Sequence, residues 1–208
     1  MAIRQIVFAS GNAGKAREIR ALFRELFGSD VELLLQGELG VESVEETGVT
    51  FRENALLKAR HAAEATGLPA LADDSGIEVD ALNGAPGVYS SRFAGVDASD
   101  QDNVEKLLSD LRDTPVAKRT ARFRCVLVYV RDPADSAPLV ADGVWEGSIA
   151  GQQSGTDGFG YDPVFVDADS GMTCYCSKEE PGYPEYTHGG CTIKQPALIP
   201  HISEKEAI

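Results

Sequence analysis

The chain has 208 residues, 43% of them hydrophobic, which is enough to bury the core of one continuous domain. Its formal charge of −14 opposes wrapping along a nucleic-acid polymer, where lysine and arginine must replace counterions. No stretch approaches the roughly 20 apolar residues of a membrane helix, and the first residues lack the features of a secretory signal, so we expect a cytoplasmic protein without a membrane partner.

A strand followed by a turn that could bind phosphate is predicted at the start of the chain. Gln5 to Ala9 form a short apolar strand, and a helix begins at Lys15 and ends near Gly28. Its apolar face consists of Ile19, Leu22, Phe23 and Leu26. The turn between strand and helix is Ser10-Gly11-Asn12-Ala13-Gly14-Lys15.

Free N–H groups and the positive helix end converge at this turn, and its lysine adds a full charge. The turn is not a Walker A loop, because two residues rather than four separate its glycines and Ala16 follows the lysine. A purely structural turn is the alternative, since strand-to-helix turns favour small residues in general.

Acidic residues flank a second predicted helix, which runs from about Thr50 to Thr66. After it, the pattern predicts a strand over Ala70 to Ala72, a turn at residues 73–76 and another strand from Ile77 to Leu82. The pair Asp73-Asp74 is therefore expected where a strand ends. The apolar face of the helix is formed by Phe51, Ala55, Ala59 and Ala62.

Two carboxylates from Glu45-Glu46 and Asp73-Asp74, together with a triphosphate, would suffice to hold Mg²⁺. The helix between them carries Lys58, and a helix can bring the segments that flank it back into one cleft. The alternative is that the glutamates are solvated loop charges and Asp73 caps a turn.

The second half of the chain mixes helix and strand patterns. A third helix is predicted from Ser99, capped together with Asp102, and its buried stripe is formed by Val104, Leu107, Leu108 and Leu111. A strand follows from Arg122 to Val130, with further strands through Trp145 and over Val164 to Val166. Helices and strands thus mix throughout the predicted chain.

Four cysteines are expected to be free thiols rather than a secreted disulfide framework. Cys125 lies in an apolar run and is predicted to be buried. The others lie near the C-terminus, where a structural zinc site is the alternative; its four ligands would be Cys174, Cys176, His188 and Cys191.

A loop over residues 155–163 places Phe159 and Tyr161 among glycines, with Asp162 before a proline. An aromatic ring between glycines can expose its face to a nucleobase, and a neighbouring aspartate or backbone amide can read the base edge. The alternative is a tight turn with buried aromatic anchors.

Together these segments resemble the inosine triphosphate pyrophosphatase family, the enzymes that remove non-canonical purine nucleotides. The resemblance covers residues 3 to about 173. Its blocks, in order, are Ser10-x-Asn12-x-x-Lys15-x-x-Glu18, Glu45-Glu46-Thr47-Gly48-x-Thr50-Phe51-x-Glu53-Asn54-Ala55, Lys58-Ala59, Ala72-Asp73-Asp74-Ser75-Gly76, residues 83–93 (NGAPGVYSSRF) and residues 158–163 (GFGYDP).

The resemblance implies hydrolysis of inosine, deoxyinosine and xanthosine triphosphates to the monophosphate and pyrophosphate. It also implies an α/β fold with an elongated mixed sheet and flanking helices, which form two lobes around a nucleotide cleft, and a homodimer. A base that offers a 6-oxo acceptor would be distinguished from adenine, because a mismatch leaves buried polar groups unpaired.

The resemblance also assigns roles to individual residues. Asp74 would be the catalytic base, and Glu46 with Asp74 would hold Mg²⁺. The triphosphate and the base would contact twelve positions: Ser10, Gly11, Asn12, Ala13, Gly14, Lys15, Lys58, Ser75, Phe159, Gly160, Tyr161 and Asp162.

The chain departs from the family after residue 173, so we predict a domain over residues 1–173 and an atypical tail over residues 174–208. The family continues with Glu-Glu-Lys and a Ser-His-Arg triplet, whereas Pro181 stands at the lysine and the triplet falls on Glu185-Tyr186-Thr187. His188 comes two residues late, so these base-contacting roles are not transferred. An altered reading frame near residue 173 would explain this abrupt change.

Three alternatives to the pyrophosphatase remain open at the level of sequence. One is a catalytically impaired nucleotide-binding protein that has lost base contacts with its tail. Another is a house-cleaning hydrolase for modified pyrimidine triphosphates. The third is an interaction protein with a solvated acidic surface.

Overall fold

The computed structural model describes residues 4–154 and 159–173 of the chain. It contains three α-helices in this part: α1 (Ala13–Phe27), α2 (Phe51–Thr66) and α3 (Asp100–Asp110). The strands are β1 (Arg4–Ala9), β2 (Val31–Leu35), β3 (Ala70–Val79), β4 (Thr120–Val130), β5 (Leu139–Ile149) and β6 (Phe165–Asp167). Within the same ranges, no helix is long and apolar enough to cross a membrane.

Six strands form a mixed sheet in the order β2-β1-β3-β4-β5-β6. β1 is parallel to both β2 and β3, whereas β5 and β6 are antiparallel. The parallel pairs are connected through helices, as strand-helix-strand crossovers require. The prediction of an α/β fold with a mixed sheet and flanking helices is therefore confirmed.

The described residues divide into two compact units. The first comprises residues 4–74 and 125–142, and the second comprises residues 75–124, 143–154 and 159–173. Strands β3, β4 and β5 each contribute residues to both units.

In the first unit, α1 packs on a cluster formed by Phe8, Leu33, Leu71 and Leu127 through its own Ala16. The predicted apolar face of α1 is correct as far as Phe23, but Leu26 is 59% exposed, because the last turn runs past this cluster. The predicted apolar face of α2 is buried, and its small residues allow close packing. This face consists of Phe51, Ala55, Ala59 and Ala62. Ala63, which was not predicted, is buried as well.

The N-termini of α2 and α3 are fixed by reciprocal caps. Thr50 accepts the amide of Glu53, whose carboxylate accepts the amide of Thr50. Ser99 and Asp102 make the same exchange at α3, as the sequence predicts. Such boxes satisfy amides that the first helical turn would otherwise leave unpaired.

The strand β3 corrects the predicted strand, turn and strand over residues 70–82. It is one continuous strand from Ala70 to Val79, so Asp73 and Asp74 lie inside the strand and not at its end. Aspartate favours turns when its side chain bonds to the local backbone. Here each carboxylate is buried and paired with a lysine from a helix, which removes that preference. The segment Asp80–Leu82 is a short 3₁₀ helix and not strand.

In the second unit, the buried guanidinium of Arg119 binds the C-terminal end of α3 to neighbouring loops. It donates to the carbonyl oxygens of Leu111 (2.9 Å), Thr114 (2.9 Å) and Ala150 (3.1 Å). One side chain thus satisfies three carbonyl groups, which would be costly to leave buried without a donor.

Replacing Arg119 by lysine should lower the free energy of unfolding by about 2–4 kcal/mol, because a single ammonium cannot reach three divergent acceptors. Chemical denaturation measures this loss. Arg112→Lys is the matched control, since Arg112 is exposed and donates to the Ser109 hydroxyl. An equal effect of the two substitutions would contradict the assigned role of Arg119.

Candidate active site

The predicted phosphate-binding turn lies between the end of β1 and the start of α1. Asn12 is the N-cap of α1, and its side-chain oxygen accepts the backbone amide of Lys15 at 3.0 Å. The Ser10 hydroxyl accepts the amide of Asn12 at 3.3 Å. Gly11 and Asn12 are exposed, so the turn presents the positive end of a 15-residue helix to an anion.

Lys15 forms an ion pair with Asp73, with 2.5 Å between Nζ and Oδ2. Burial acts to lower the pKa of Lys15, but the charge of Asp73 and the hydrogen bond to it raise the pKa above its usual value. The ammonium is therefore charged at neutral pH. Sequence analysis missed Asp73 as the partner of this lysine, because its pattern had assigned that aspartate to a turn.

Lys58 joins the two carboxylates that were predicted to hold a metal ion. Its Nζ lies 2.6 Å from Oε1 of Glu46 and 3.2 Å from Oδ1 of Asp74. Helix α2 thus brings together one residue from the loop that precedes it and one from the strand that follows it, as the sequence predicts. All three side chains are largely buried, with Asp74 the least exposed at 8%.

Burial raises the pKa of Asp74, and the negative charge of Glu46 adds to this rise, while the positive charge of Lys58 opposes it. The second oxygen, Oδ2, is buried and has no hydrogen-bond partner among the described residues. A carboxylate oxygen in this state is suited to a cation or to a proton donor.

The donor set fits magnesium. Glu46 and Asp74 offer carboxylate oxygens, and one oxygen of Asp74 still lacks a partner in the described part of the chain. No group of three or more His, Cys, Asp or Glu side chains that could hold a metal occurs among the described residues. A magnesium site here would therefore draw its other ligands from water and substrate phosphates, as this ion usually does.

Asp73 and Asp74 face different helices because successive residues of a strand point to opposite sides of the sheet. Asp73 contacts Lys15 of α1, and Asp74 contacts Lys58 of α2. The charge of Asp74 also acts on Lys15 and helps to raise its pKa. Ser75 follows in the same strand and is half-buried.

The predicted base-binding segment lies in the second unit, and its described part is residues 159–163. The amide of Gly160 donates to Oδ2 of Asp100 at 2.7 Å, and that of Phe159 donates to Oδ2 of Asp162 at 3.2 Å. Tyr161 is a buried anchor, because the residue is 4% exposed and its hydroxyl donates to the carbonyl oxygen of Ser90. Phe159 is half-buried, and a base pocket built from these residues stays a prediction.

Two residues next to these groups gave no functional signal of their own in the sequence. Asp100 holds the Gly160 amide, and Asn54 lies beside Asp74. Asn54 could have been found, because it precedes Lys58 by four residues and therefore shares its helix face. Asp100 could not, since it is separated from Gly160 by 60 residues.

Cys125 is a free thiol that packs against the core cluster of the first unit. It was predicted to be buried and is half-buried. Burial raises the pKa of its thiol to about 12, so it stays protonated near neutral pH. The predicted free thiols or zinc site at residues 174–191, the atypical tail and the displaced triplet all lie outside the described residues.

The fold and this site define an α/β protein in which a polar strand-to-helix turn is accompanied by paired acidic and lysine side chains. The sequence model of the Ham1 family matches residues 6–180, and the chain belongs to that family. The family resemblance given by the sequence motifs is thereby confirmed.

Similar proteins include the dITP/XTP pyrophosphatase of Yersinia pseudotuberculosis, which is 61% identical over 163 residues, or 78% of this chain and 81% of that protein. The enzyme of the same name from Escherichia coli O157:H7 is 56% identical over 82% of this chain and 85% of its own length.

Among solved structures, a HAM1 protein from Coxiella burnetii superposes with a TM-score of 0.76 at 47% identity, covering 82% of this chain and 85% of that one. A nucleoside-triphosphatase from Mycobacterium abscessus, also named dITP/XTP pyrophosphatase, superposes with a TM-score of 0.70 at 42% identity, covering 81% and 86% of the two chains.

The carboxyl of Asp162 should make stability depend on pH. Burial raises its pKa to about 6, above the value of about 3.9 in an unfolded chain. The folded state therefore binds more protons in this window, and the free energy of unfolding falls as pH rises from about 4 to 6. Asp162→Asn keeps an acceptor for the Phe159 amide and should remove this dependence.

Urea denaturation of both proteins at several pH values measures the effect. The stability of the Asn variant relative to wild type should increase by on the order of 2 kcal/mol between pH 4 and pH 7. Asp97→Asn, at an exposed position, controls for the loss of one negative charge. A constant difference between Asp162→Asn and wild type would show that Asp162 does not titrate in this range.

Proposed function

We propose that this protein hydrolyses non-canonical purine nucleoside triphosphates to the monophosphate and pyrophosphate, and so removes them from the nucleotide pool. The observation that carries the proposal is the partly buried cluster in which Lys58 joins Glu46 and Asp74, with the buried Oδ2 of Asp74 unpaired among the described residues. This arrangement combines a cation for phosphate, two ligands for a metal ion and an acceptor for a proton.

The proposed substrates are dITP, XTP and ITP. Support comes from the relatives named dITP/XTP pyrophosphatase, which are 55–61% identical to this chain. The acidic and basic residues of the described cluster all fall within the matched region.

In the proposed reaction, the oxygen of a water molecule attacks the α-phosphorus, and the bond from this phosphorus to the oxygen that bridges it to the β-phosphorus breaks. Asp74 takes the proton of the attacking water. Pyrophosphate leaves with its negative charge facing the ammonium groups of Lys15 and Lys58 and the N-terminus of α1. The oxygen of the attacking water becomes part of the nucleoside monophosphate.

Pyrophosphatases of this family are generally metal-dependent, and we propose that the metal is Mg²⁺ held by Glu46 and Asp74. When bound, this ion would polarise the phosphate oxygens and neutralise part of their charge. Lys58 keeps the two carboxylates together, which prepares the pair for the ion without requiring a third protein ligand.

The substrate contacts are proposed on the same basis as the catalytic ones. Residues 10–15 would bind the triphosphate, with Ser75 beside it, and residues 159–162 would contact the base. The Asp100 and Asp162 carboxylates that hold the Gly160 and Phe159 amides fix the backbone of that segment. We also propose that the protein acts as a homodimer in the cytoplasm.

Release of pyrophosphate from dITP, XTP, ITP, GTP and ATP with Mg²⁺ tests the proposed activity. Wild type should prefer the first three. Asp74→Asn should lower kcat by roughly 10²–10⁴-fold, because the amide has no basic lone pair for the proton and is a weaker metal ligand.

Asp110→Asn is the matched control, since Asp110 also pairs with a lysine at 2.8 Å but lies on the exposed face of α3. Its kcat should equal that of wild type. Full activity of Asp74→Asn on dITP would exclude Asp74 as the base.

The metal proposal is tested by titrating chelated protein with Mg²⁺. Glu46→Gln should raise the half-activating concentration of Mg²⁺ by about tenfold or more, because one of two carboxylate ligands is lost. Glu38→Gln, which removes an exposed carboxylate paired with Arg20 at 2.8 Å, should not change it. Unaltered metal dependence of Glu46→Gln would remove Glu46 from the site.

A further inference from the structure

Asn54 is a completely buried amide in the first turn of α2. Its Oδ1 accepts the backbone amide of Gly48 at 2.7 Å. Because a backbone N–H can only donate, this contact fixes the orientation of the amide group and assigns Nδ2 to the opposite side.

The approach of the Gly48 segment to Asn54 is close. A Cβ atom at position 48 would lie 2.6 Å from Oδ1 of Asn54 and 2.7 Å from Cβ of Glu53. Only glycine fits there, so the contact between the loop and the helix is built into the sequence at both ends. Gly48 follows Glu46 by two residues, and Asn54 therefore anchors the segment that carries the proposed metal ligand.

The other side of the Asn54 amide lies next to Asp74. Burial dominates the raised pKa of Asp74, and the Asn54 side chain is among the groups that oppose this rise, as a nearby donor does. Within the described part of the chain, neither Nδ2 of Asn54 nor Oδ2 of Asp74 has completed a hydrogen bond, and both atoms are buried. A donor and an acceptor that lack partners thus occupy the same small region.

Asn54 and Lys58 are four residues apart and lie on one face of α2. Lys58 contacts both Glu46 and Asp74, and Asn54 contacts the Glu46 segment and lies beside Asp74. Two polar groups of one rigid helix therefore act on the same two segments, where a lone lysine would leave the orientation of the Asp74 carboxylate free.

We propose that Asn54 is a positioning residue, which anchors the Glu46 segment through Oδ1 and orients the Asp74 carboxylate by donating from Nδ2 to Oδ2. The inference rests on the proposed roles of Glu46 and Asp74. With Oδ1 of Asp74 facing Lys58 and Oδ2 facing Asn54, the carboxylate has one orientation. Each oxygen keeps a second lone pair for a metal ion or for the proton of the attacking water.

Asn54→Asp separates the two halves of this role. The carboxylate of the new aspartate can still accept a hydrogen bond from the Gly48 amide. It replaces the N–H donor of Asn54 by a negative charge beside Asp74. We expect kcat for dITP to fall roughly 10²-fold, as loss of orientation in an active site does, with KM within about threefold of wild type. Hydrogen exchange should show the Gly48 amide still protected.

Asn103→Asp is the matched control. Asn103 is 2% exposed, lies in the first turn of α3, accepts the amide of Ala94 at 2.8 Å and donates to the carbonyl oxygen of Ser91 at 3.1 Å. The same substitution at this purely structural asparagine should lower the melting temperature and leave kcat within about threefold of wild type.

If Asn54→Asp does not fold, Asn54→Ser replaces it in the test. The serine side chain adds no charge and is too short to reach Asp74, so the kcat of Asn54→Ser should also fall. The proposal is overturned if a folded Asn54 variant keeps the kcat of wild type, or if Asn103→Asp lowers kcat by the same factor. Failure of wild type itself to release pyrophosphate from dITP would instead refute the proposed function.

Discussion

The structure of the site depends on the burial of two consecutive aspartates inside a β-strand. Carboxylates are expensive to bury unless they are paired, and each of these has a lysine partner from a different helix. Because neighbouring residues of a strand face opposite sides, the pair Asp73-Asp74 ties α1 to one side of β3 and α2 to the other. Buried ion pairs of this kind contribute little net stability, so their presence is better explained by chemistry than by folding.

Helix α2 brings the charged side chains of the proposed site together. Its small residues let it pack closely on the sheet, which carries Lys58 and Asn54 into the interior. Its capping box and the Gly48 contact fix the preceding loop with Glu46. The residues proposed to act on phosphate and metal are thus attached to a helix and a loop that contact each other, which leaves few side-chain conformations open.

The second unit carries the proposed base contacts, and there hydrogen bonds to the backbone replace the ion pairs of the first unit. There the segment around Gly160 is shaped by carboxylates that accept its amides and by the buried ring of Tyr161. Arg119 fixes the neighbouring loops by satisfying three carbonyl groups. The backbone groups of this segment therefore find hydrogen-bond partners within the protein, and the segment has a defined conformation without a ligand.

The sequence alone determined the three helices, most strands, the reciprocal caps and the ordered motifs that show the family, because helical periodicity, capping residues and motif spacing are local signals. Only the tertiary structure decided the course of β3, the partner of Lys15 and the positions of Asn54 and Asp100. Local propensity placed a turn at Asp73-Asp74, and pairing with lysines distant in sequence overrode it. Such pairings depend on which elements pack together, which no short stretch of sequence encodes.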